Sequence, residues 1–282
     1  MALKHKVGPA IYKIFQYLFC IFLALLSLMP FIIMVVNATR SSPQIESHAI
    51  SLIPSHYIGH NYKVLTGKSF NALRGFCNSL IIASGATVCT IYFSTMTAFA
   101  LVAYKWKLRK PFFTLIMCVL MIPAQVTSIG FYQFVYKIDM DNSFLPLILP
   151  AIAAPSVVFF MRQYMTSSLP MEILQSARID GAGEFRIFNQ IALPIMKPAM
   201  ATQAIFAFVS KWNDLFLPSI LLTDKLKFTM PMMVSQLSGD AYKTEYGSVY
   251  LGLTLTVLPL FVIYFALSKY IIAGVALGGV KE

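Results

Sequence analysis

Charge is scarce in this chain. Asp, Glu, Lys and Arg make up 12% of its 282 residues, against roughly a quarter in soluble domains, and the mean hydropathy is +0.72. That balance excludes a water-soluble globule and points to an integral membrane protein. Acid is scarcer than base: 11 Asp and Glu against 22 Lys and Arg leave a net charge of +11. The basic residues sit mostly in short loops between apolar runs, which fits membrane topology and excludes a nucleic-acid face.

Other shortages exclude particular chemistries. The four cysteines, Cys20, Cys77, Cys89 and Cys118, fall in or at the edge of apolar runs. They have no paired metal-ligand spacing, so packing is their expected role and no metal site is expected. Thr66-Gly67-Lys68-Ser69 resembles the end of a phosphate-binding loop, but Tyr62 stands where the full pattern needs glycine. His56 and His60 are four apart without an acidic or Cys partner, and read as a solvated pair. Asn37-Ala38-Thr39 matches a glycosylation sequon but abuts the first apolar run. Asp214 is the one carboxylate within an apolar segment, so an intramembrane enzyme would lack its second catalytic group.

What the chain has instead is long apolar runs. Six are long enough to span about 30 Å of hydrocarbon as helices: Ile14 to Val36, Phe76 to Tyr104, Phe112 to Tyr136, Ser143 to Met161, Pro198 to Leu222 and Gly247 to Ser268. The first has basic flanks (Lys4, Lys6, Lys13) but is too long for a signal peptide and lacks a cleavage site, so it reads as an uncleaved anchor. Placing the N-terminus inside puts Lys105, Lys107, Arg109, Lys110, Arg162, Arg178, Arg186, Lys197 and Lys281 on the inner side. The outer connections are poorer: Lys137 alone in one, and Lys225, Lys227 and Lys243 offset by Asp224, Asp240 and Glu245 in another. Both termini are then cytoplasmic.

One inner stretch, residues 169–198, breaks the apolar pattern. Ser168 can cap a helix whose first turn holds Pro170, with Glu172 near the favourable dipole end. Met171, Ile173, Leu174 and Ala177 form an apolar flank, and Gly181 and Gly183 break the helix. A second short helix starts near Glu184, with Phe185, Phe188 and Ile191 at three-residue spacing. Pro194 is expected to end it, and Pro198 to begin the fifth membrane helix. Two readings fit this pattern: an interfacial element on the headgroups, or a docking knob for a cytoplasmic partner.

The stretch SLPMEILQSARIDGAGEFRIFNQIALPIMKP resembles the "EAA" loop of bacterial ABC-importer permeases of the carbohydrate class. Ser168, Pro170, Glu172, Ala177, Ile179, Asp180, Gly181, Ala182, Phe188, Ile191, Leu193, Pro194 and Pro198 occupy matching places, while Gln175 replaces the namesake glutamate. NSLIIA (78–83), AFALVAY (98–104), MIPAQV (121–126) and WNDLFLP (212–218) resemble the family's core helices, although Gly130 stands where a proline is common. AGVALGGVKE resembles the glycine-rich tail of maltose-type permeases in the smaller-subunit position.

The resemblance implies an all-α membrane fold: six transmembrane helices of the type I importer permease, with cytoplasmic coupling helices. It divides the chain into an N-terminal end and first helix (1–37), an extracytoplasmic loop (38–73), a five-helix core (74–270) with its coupling loop at 168–197, and a cytoplasmic tail (271–282). It implies a permease subunit of an ATP-driven carbohydrate importer in a bacterial inner membrane, which hydrolyses nothing itself. The implied partners are a homologous second permease, two ATPase subunits that carry ATP and magnesium, and an extracytoplasmic sugar-binding protein. This chain would bind no cofactor. Glu172, Gln175, Ala177, Asp180, Gly181, Ala182, Phe185, Phe188, Ile191 and Pro194 would meet an ATPase, and Gly274, Gly278 and Lys281 are the carried-over tail contacts. Lys211, Asn213 and Asp214, with Gln125 and Thr127, are candidates for the solute path or for inter-helix hydrogen bonds. Ser128, Gln133 and Thr202 are further polar candidates, and Pro218 and Pro259 mark bends. A permease for a non-sugar solute is the alternative, followed by an ion-coupled carrier.

Overall fold

The computed structural model describes residues 4–67, 70–238 and 245–279. Lys68, Ser69, Asp240, Lys243 and Lys281 lie outside the described residues, as do the side chains of Lys4, Lys6 and Gln125. Among the described residues every regular element is helical. Backbone proximity divides the chain into two compact units, Met1–Ala72 with Val234–Val257, and Leu73–Met233 with Leu258–Glu282.

In the first unit, α1 (Lys4–Ala38) is apolar on nearly every side from Tyr17 to Val36, and none of its most apolar window is buried. Such a helix needs lipid or another protein around it. Beyond it a polar knot joins the buried Ala38, Ile45 and Leu65. Arg40 donates to Asn37 Oδ1 at 2.9 Å and to the carbonyls of His48 and Gln44 at 2.8 and 2.7 Å, tying in α2 (Ser42–Ser47). Asn61 on α3 (Ile58–Gly67) donates to the carbonyls of Ala38 and Arg40. A side chain at Gly247 would collide with Arg40 O and Asn61 Nδ2. Asn37, the sequon residue, is fully buried and donates to Ala49 O. Its amide is committed to the fold. His56 and His60 are both exposed.

The second unit starts with α4 (Ala72–Ala103), followed by α5 (Arg109–Leu120) and α6 (Ala124–Lys137). The third expected span is therefore two helices: Pro123 takes an extended ψ of 129° and offers no N–H, which interrupts the ladder. Next come α7 (Leu145–Ile148), a 3₁₀ turn (Leu149–Ile152) and α8 (Pro155–Ser168), separated by non-helical Ala153 and Ala154. Then follow α9 (Met171–Ile179), α10 (Glu184–Ile187), a π turn (Phe188–Ala192) and α11 (Leu193–Trp212). The chain closes with α12 (Phe216–Leu221), a 3₁₀ turn (Lys225–Lys227), α13 (Met230–Ser238) and α14 (Tyr246–Gly279).

Among the described residues, four helical stretches, Tyr12–Ala38, Ala72–Ala103, Leu145–Ser168 and Glu184–Trp212, are long and apolar enough to cross a membrane, and Tyr246–Val262 is a shorter apolar helix. Two boundaries differ from the sequence reading. Pro194 does not end a helix and Pro198 does not start one: a single helix runs from Glu184 to Trp212 through both. The wider π turn just before Pro194 absorbs its missing N–H and ring. At the other end, α14 continues past Ser268, so Gly274 and Gly278 belong to a helix. Of the cysteines, Cys20, Cys77 and Cys118 are exposed within this chain and Cys89 is half-buried.

The core of the second unit joins four parts of the chain. Ala98 and Phe99 of α4, Met161 and Met165 of α8, Leu174 of α9, and Ile187, Phe188, Ala192 and Met196 of the 184–212 helix are buried together. A second cluster surrounds Trp212, stacked on Phe208 and met edge-on by Phe76.

Candidate functional site

The segment between α8 and α11 is built as a turn with two different faces. Ser168 is the last residue of α8, not a cap for α9, and Pro170 holds the cap position with an extended ψ of 122°. Glu172 and Arg178 occupy the first and last turns of α9, each at the helix end that favours its charge. At the far end Asp180 is the C-cap. The Gly181 N–H then donates to Arg178 O at 3.1 Å and the Ala182 N–H to Ala177 O at 3.0 Å. That pair of bonds is the Schellman arrangement, which needs the left-handed φ of +79° that Gly181 adopts. The next helix is capped by Gly183, whose carbonyl accepts from Ile187 N.

Of the residues expected to meet an ATPase, Glu172, Gln175, Asp180, Gly181, Phe185 and Pro194 are exposed, and Ala177, Ala182 and Ile191 are half-buried. No atom would lie within 4 Å of a side chain added at Gly181. Phe188 is different. It is 3% exposed, its ring 5.4 Å from Phe99 and 5.6 Å from Tyr92 of α4. Its apolar area is spent inside the chain, so the expected ridge of Phe185, Phe188 and Ile191 is not one surface. The exposed apolar residues of the turn are Ile173, Ile179 and Phe185, the last two 86% and 72% exposed.

A charged node not anticipated from the sequence fastens the turn. Arg178 donates through Nε and Nη2 to the two carboxylate oxygens of Glu184 at 2.7 and 3.2 Å. Tyr104, just beyond α4, donates to Glu184 Oε2 at 2.6 Å, and the Arg178 guanidinium lies 5.4 Å from the Tyr104 ring centroid. The hydrogen bond to Glu184 holds the Arg178 pKa above its ordinary value. Arg178 and Glu184 bracket the turn six residues apart, a faint signal, but nothing local pointed to Tyr104. Tyr92 adds a bond to Asn189 Oδ1 at 3.2 Å. The turn is thereby fixed to α4 at two heights.

The expected path residues are less tightly grouped. Lys211 and Asp214 pair at 3.9 Å, but not along one helix, because α11 ends at Trp212. Asp214 Oδ1 instead accepts from Leu217 N at 3.3 Å, at the start of α12. Asn213 and Thr127 are exposed, and Thr202 turns its hydroxyl to Pro198 O. The neighbouring Gln203, not singled out from the sequence, lines a cavity of about 380 Å³ together with Thr90, Ser156, Ser210 and Lys211.

Comparison with known proteins fits this architecture. The arabinooligosaccharide transport system permease of Bacillus subtilis is 33% identical over 281 residues, covering 99% of each chain. The lactose transport system permease of Rhizobium radiobacter is 29% identical over 95% of this chain and 96% of its own length. The sn-glycerol-3-phosphate transport system permease of Yersinia enterocolitica is 30% identical over 93% and 95%. In fold, the chain resembles a bacterial ABC transporter involved in importing the acidic polysaccharide alginate, with a TM-score of 0.79, 20% identity and coverage of 94% of this chain and 98% of that one. The profile of the binding-protein-dependent transport system inner membrane component family matches residues 69–276. With three quarters of its length inside that family's pattern, this chain belongs to it: it is a permease component of an ABC import system, a membrane transport protein and not an enzyme.

Proposed function

We propose that this chain forms half of the translocation pathway of an ATP-driven carbohydrate importer and that the 169–194 turn couples it to an ATPase. In this reading a homologous permease forms the other half. Two cytoplasmic ATPase subunits supply ATP and magnesium, and an extracytoplasmic binding protein delivers the sugar. The names of relatives that carry arabinooligosaccharides and lactose support the solute class. The basic loops support inner-side termini, and the helices Arg109–Leu120 with Ala124–Lys137 and the long α14, added to the four candidate spans, support a count of six crossings. The division at 37, 73 and 270, and contact of Gly274, Gly278 and Lys281 with the ATPase, belong to the same reading.

One observation carries the coupling role: the two-faced turn. Its inner face is packed into the core with α4, α8 and α11, while Ile179, Gly181 and Phe185 stand free. A push on the free face therefore moves three membrane helices as a body, the kind of rigid switch that alternating access needs. Glu172, Gln175 and Asp180 add exposed polar groups around it.

The test is sugar-stimulated ATPase activity of the co-expressed complex, wild type against Gly181→Arg. Loss of stimulation from an inserted, monodisperse complex is expected. Unchanged stimulation would remove the turn from the ATPase interface. Uptake that persists without any ATPase subunit would sink the importer reading itself.

A further inference from the structure

The cavity that touches Lys211 has a composition that calls for a ligand. Three elements of the second unit line it: Thr90 of α4, the stretch Pro150 to Val157 across the break before α8, and Gln203 to Lys211 of α11. Thr90 and Ala154 lie about 20 Å from the helix ends at Ala103 and Ser168, at 1.5 Å per residue. Both are thus deep within a bilayer's hydrocarbon. At that depth, non-helical backbone such as Ala153–Ala154 persists only inside protein or beside a water-filled space.

The polar side chains there are open to the space they line: Ser156 and Ser210 are exposed and Gln203 is half-buried. Among the described residues, Ser156, Gln203 and Ser210 line the cavity without a hydrogen-bond partner. Thr90 is committed to Ala151 O at 3.0 Å. Three uncommitted hydroxyl and amide groups in one membrane-depth cavity are costly unless water or a solute meets them. The charge is compensated locally, because the Lys211 ammonium has Asp214 at 3.9 Å. A compensated cation suits neutral hydroxyls better than a free anion, which would have to compete with that carboxylate. Phe206, 64% exposed, with Pro150 and Ala207, supplies the apolar walls typical of small-molecule sites, and the volume falls in their range of about 300–1,000 Å³.

We propose that this cavity is a binding subsite on this chain for a neutral, hydroxyl-rich solute, with Gln203, Ser156 and Ser210 exchanging hydrogen bonds with its hydroxyls and Lys211 donating a further one. The proposal rests on the importer reading and adds to it a specific contact surface and a preference for uncharged sugar. Gln203 is the central group, since its amide both donates and accepts.

The test uses the full importer complex in liposomes with its binding protein, supplied with arabinotriose, lactose or glycerol 3-phosphate. The expected result is uptake of one of the neutral sugars, reduced at least tenfold by Gln203→Leu. In a Ser210→Cys complex, the same sugar should slow thiol labelling at that position at least fivefold, read by peptide mass spectrometry so that native cysteines do not interfere. Sugar uptake with unaltered labelling, or within twofold of wild type in Gln203→Leu, would overturn the subsite and leave the importer reading intact. Uptake of glycerol 3-phosphate alone would overturn the neutral preference. Uptake of none of the three would overturn the carbohydrate reading and the subsite together.

Discussion

On the turn between α8 and α11, Phe185 and Phe188 sit three residues apart on one short helical stretch, yet one is 72% exposed and the other 3%. The same contrast separates Ile173, 45% exposed, from its neighbour Leu174, which is fully buried. The buried members meet α4, α8 and α11, whereas the free members have nothing of their own chain to cover them. An apolar pattern with two destinations is what the proposed coupling role needs: one face to be pushed and one to be held. The charged node at Glu184 strengthens the held side through the half-buried Arg178 and Tyr104.

The strongest way to break this comparison is to exchange the fates of the two phenylalanines. Phe188→Ala should cost about 3–5 kcal/mol, the range for deleting a packed aromatic. It should appear as a lowered thermal midpoint of the purified complex and poor recovery from the membrane. Phe185→Ala should leave the midpoint nearly unchanged and lower sugar-stimulated ATPase activity about thirtyfold, as for a contact worth about 2 kcal/mol. Equal loss of stability in both variants would show that the faces are not distinct.

Gly181 allows a finer cut. Gly181→Ala meets no neighbour but must hold a positive φ, so a loss of about 1 kcal/mol in stability is expected, with coupling largely kept. Gly181→Arg carries the same backbone strain and should also abolish stimulation. Identical coupling in the two variants would mean that strain, and not blocked docking, explains the effect.

The smallest effect belongs to the node. Glu184→Gln keeps an acceptor for Tyr104 but removes the charge facing Arg178. The pair is partly exposed, so the expected loss is at most about 1 kcal/mol and should shrink with added salt. A salt-independent loss would instead point to the Tyr104 hydrogen bond as the element that secures the turn. In the first unit, Gly247→Ala is a useful contrast, since it should disrupt the Arg40–Asn61 knot without touching coupling directly. Measured alongside Phe188→Ala, it tells general destabilisation from loss of the lever.

Much of the lever was legible in the sequence. The glycine break and the short helices on either side of it followed from propensity, and Gly181 adopts the left-handed turn that glycine permits, but Ser168 does not cap α9 and Pro194 does not end the helix after the break. The continuity through Pro194 and Pro198 was not legible, because a π turn is a response of the whole helix to packing and carries no residue code of its own. The sequence names Thr202 but gives no sign of Gln203: adjacent helix positions point about 100° apart, and only the packed neighbours fix which one faces the cavity.

By itself the sequence determined that this protein lives in a bilayer, where its apolar runs lie and that the chain turns at Gly181, since these depend on hydropathy and local backbone chemistry. Only the tertiary structure decided which phenylalanine is structural, that Tyr104 reaches Glu184 across 80 residues of chain, and which polar groups share a cavity. Those choices depend on which distant helix lies alongside, and periodicity along one helix carries no record of its neighbour.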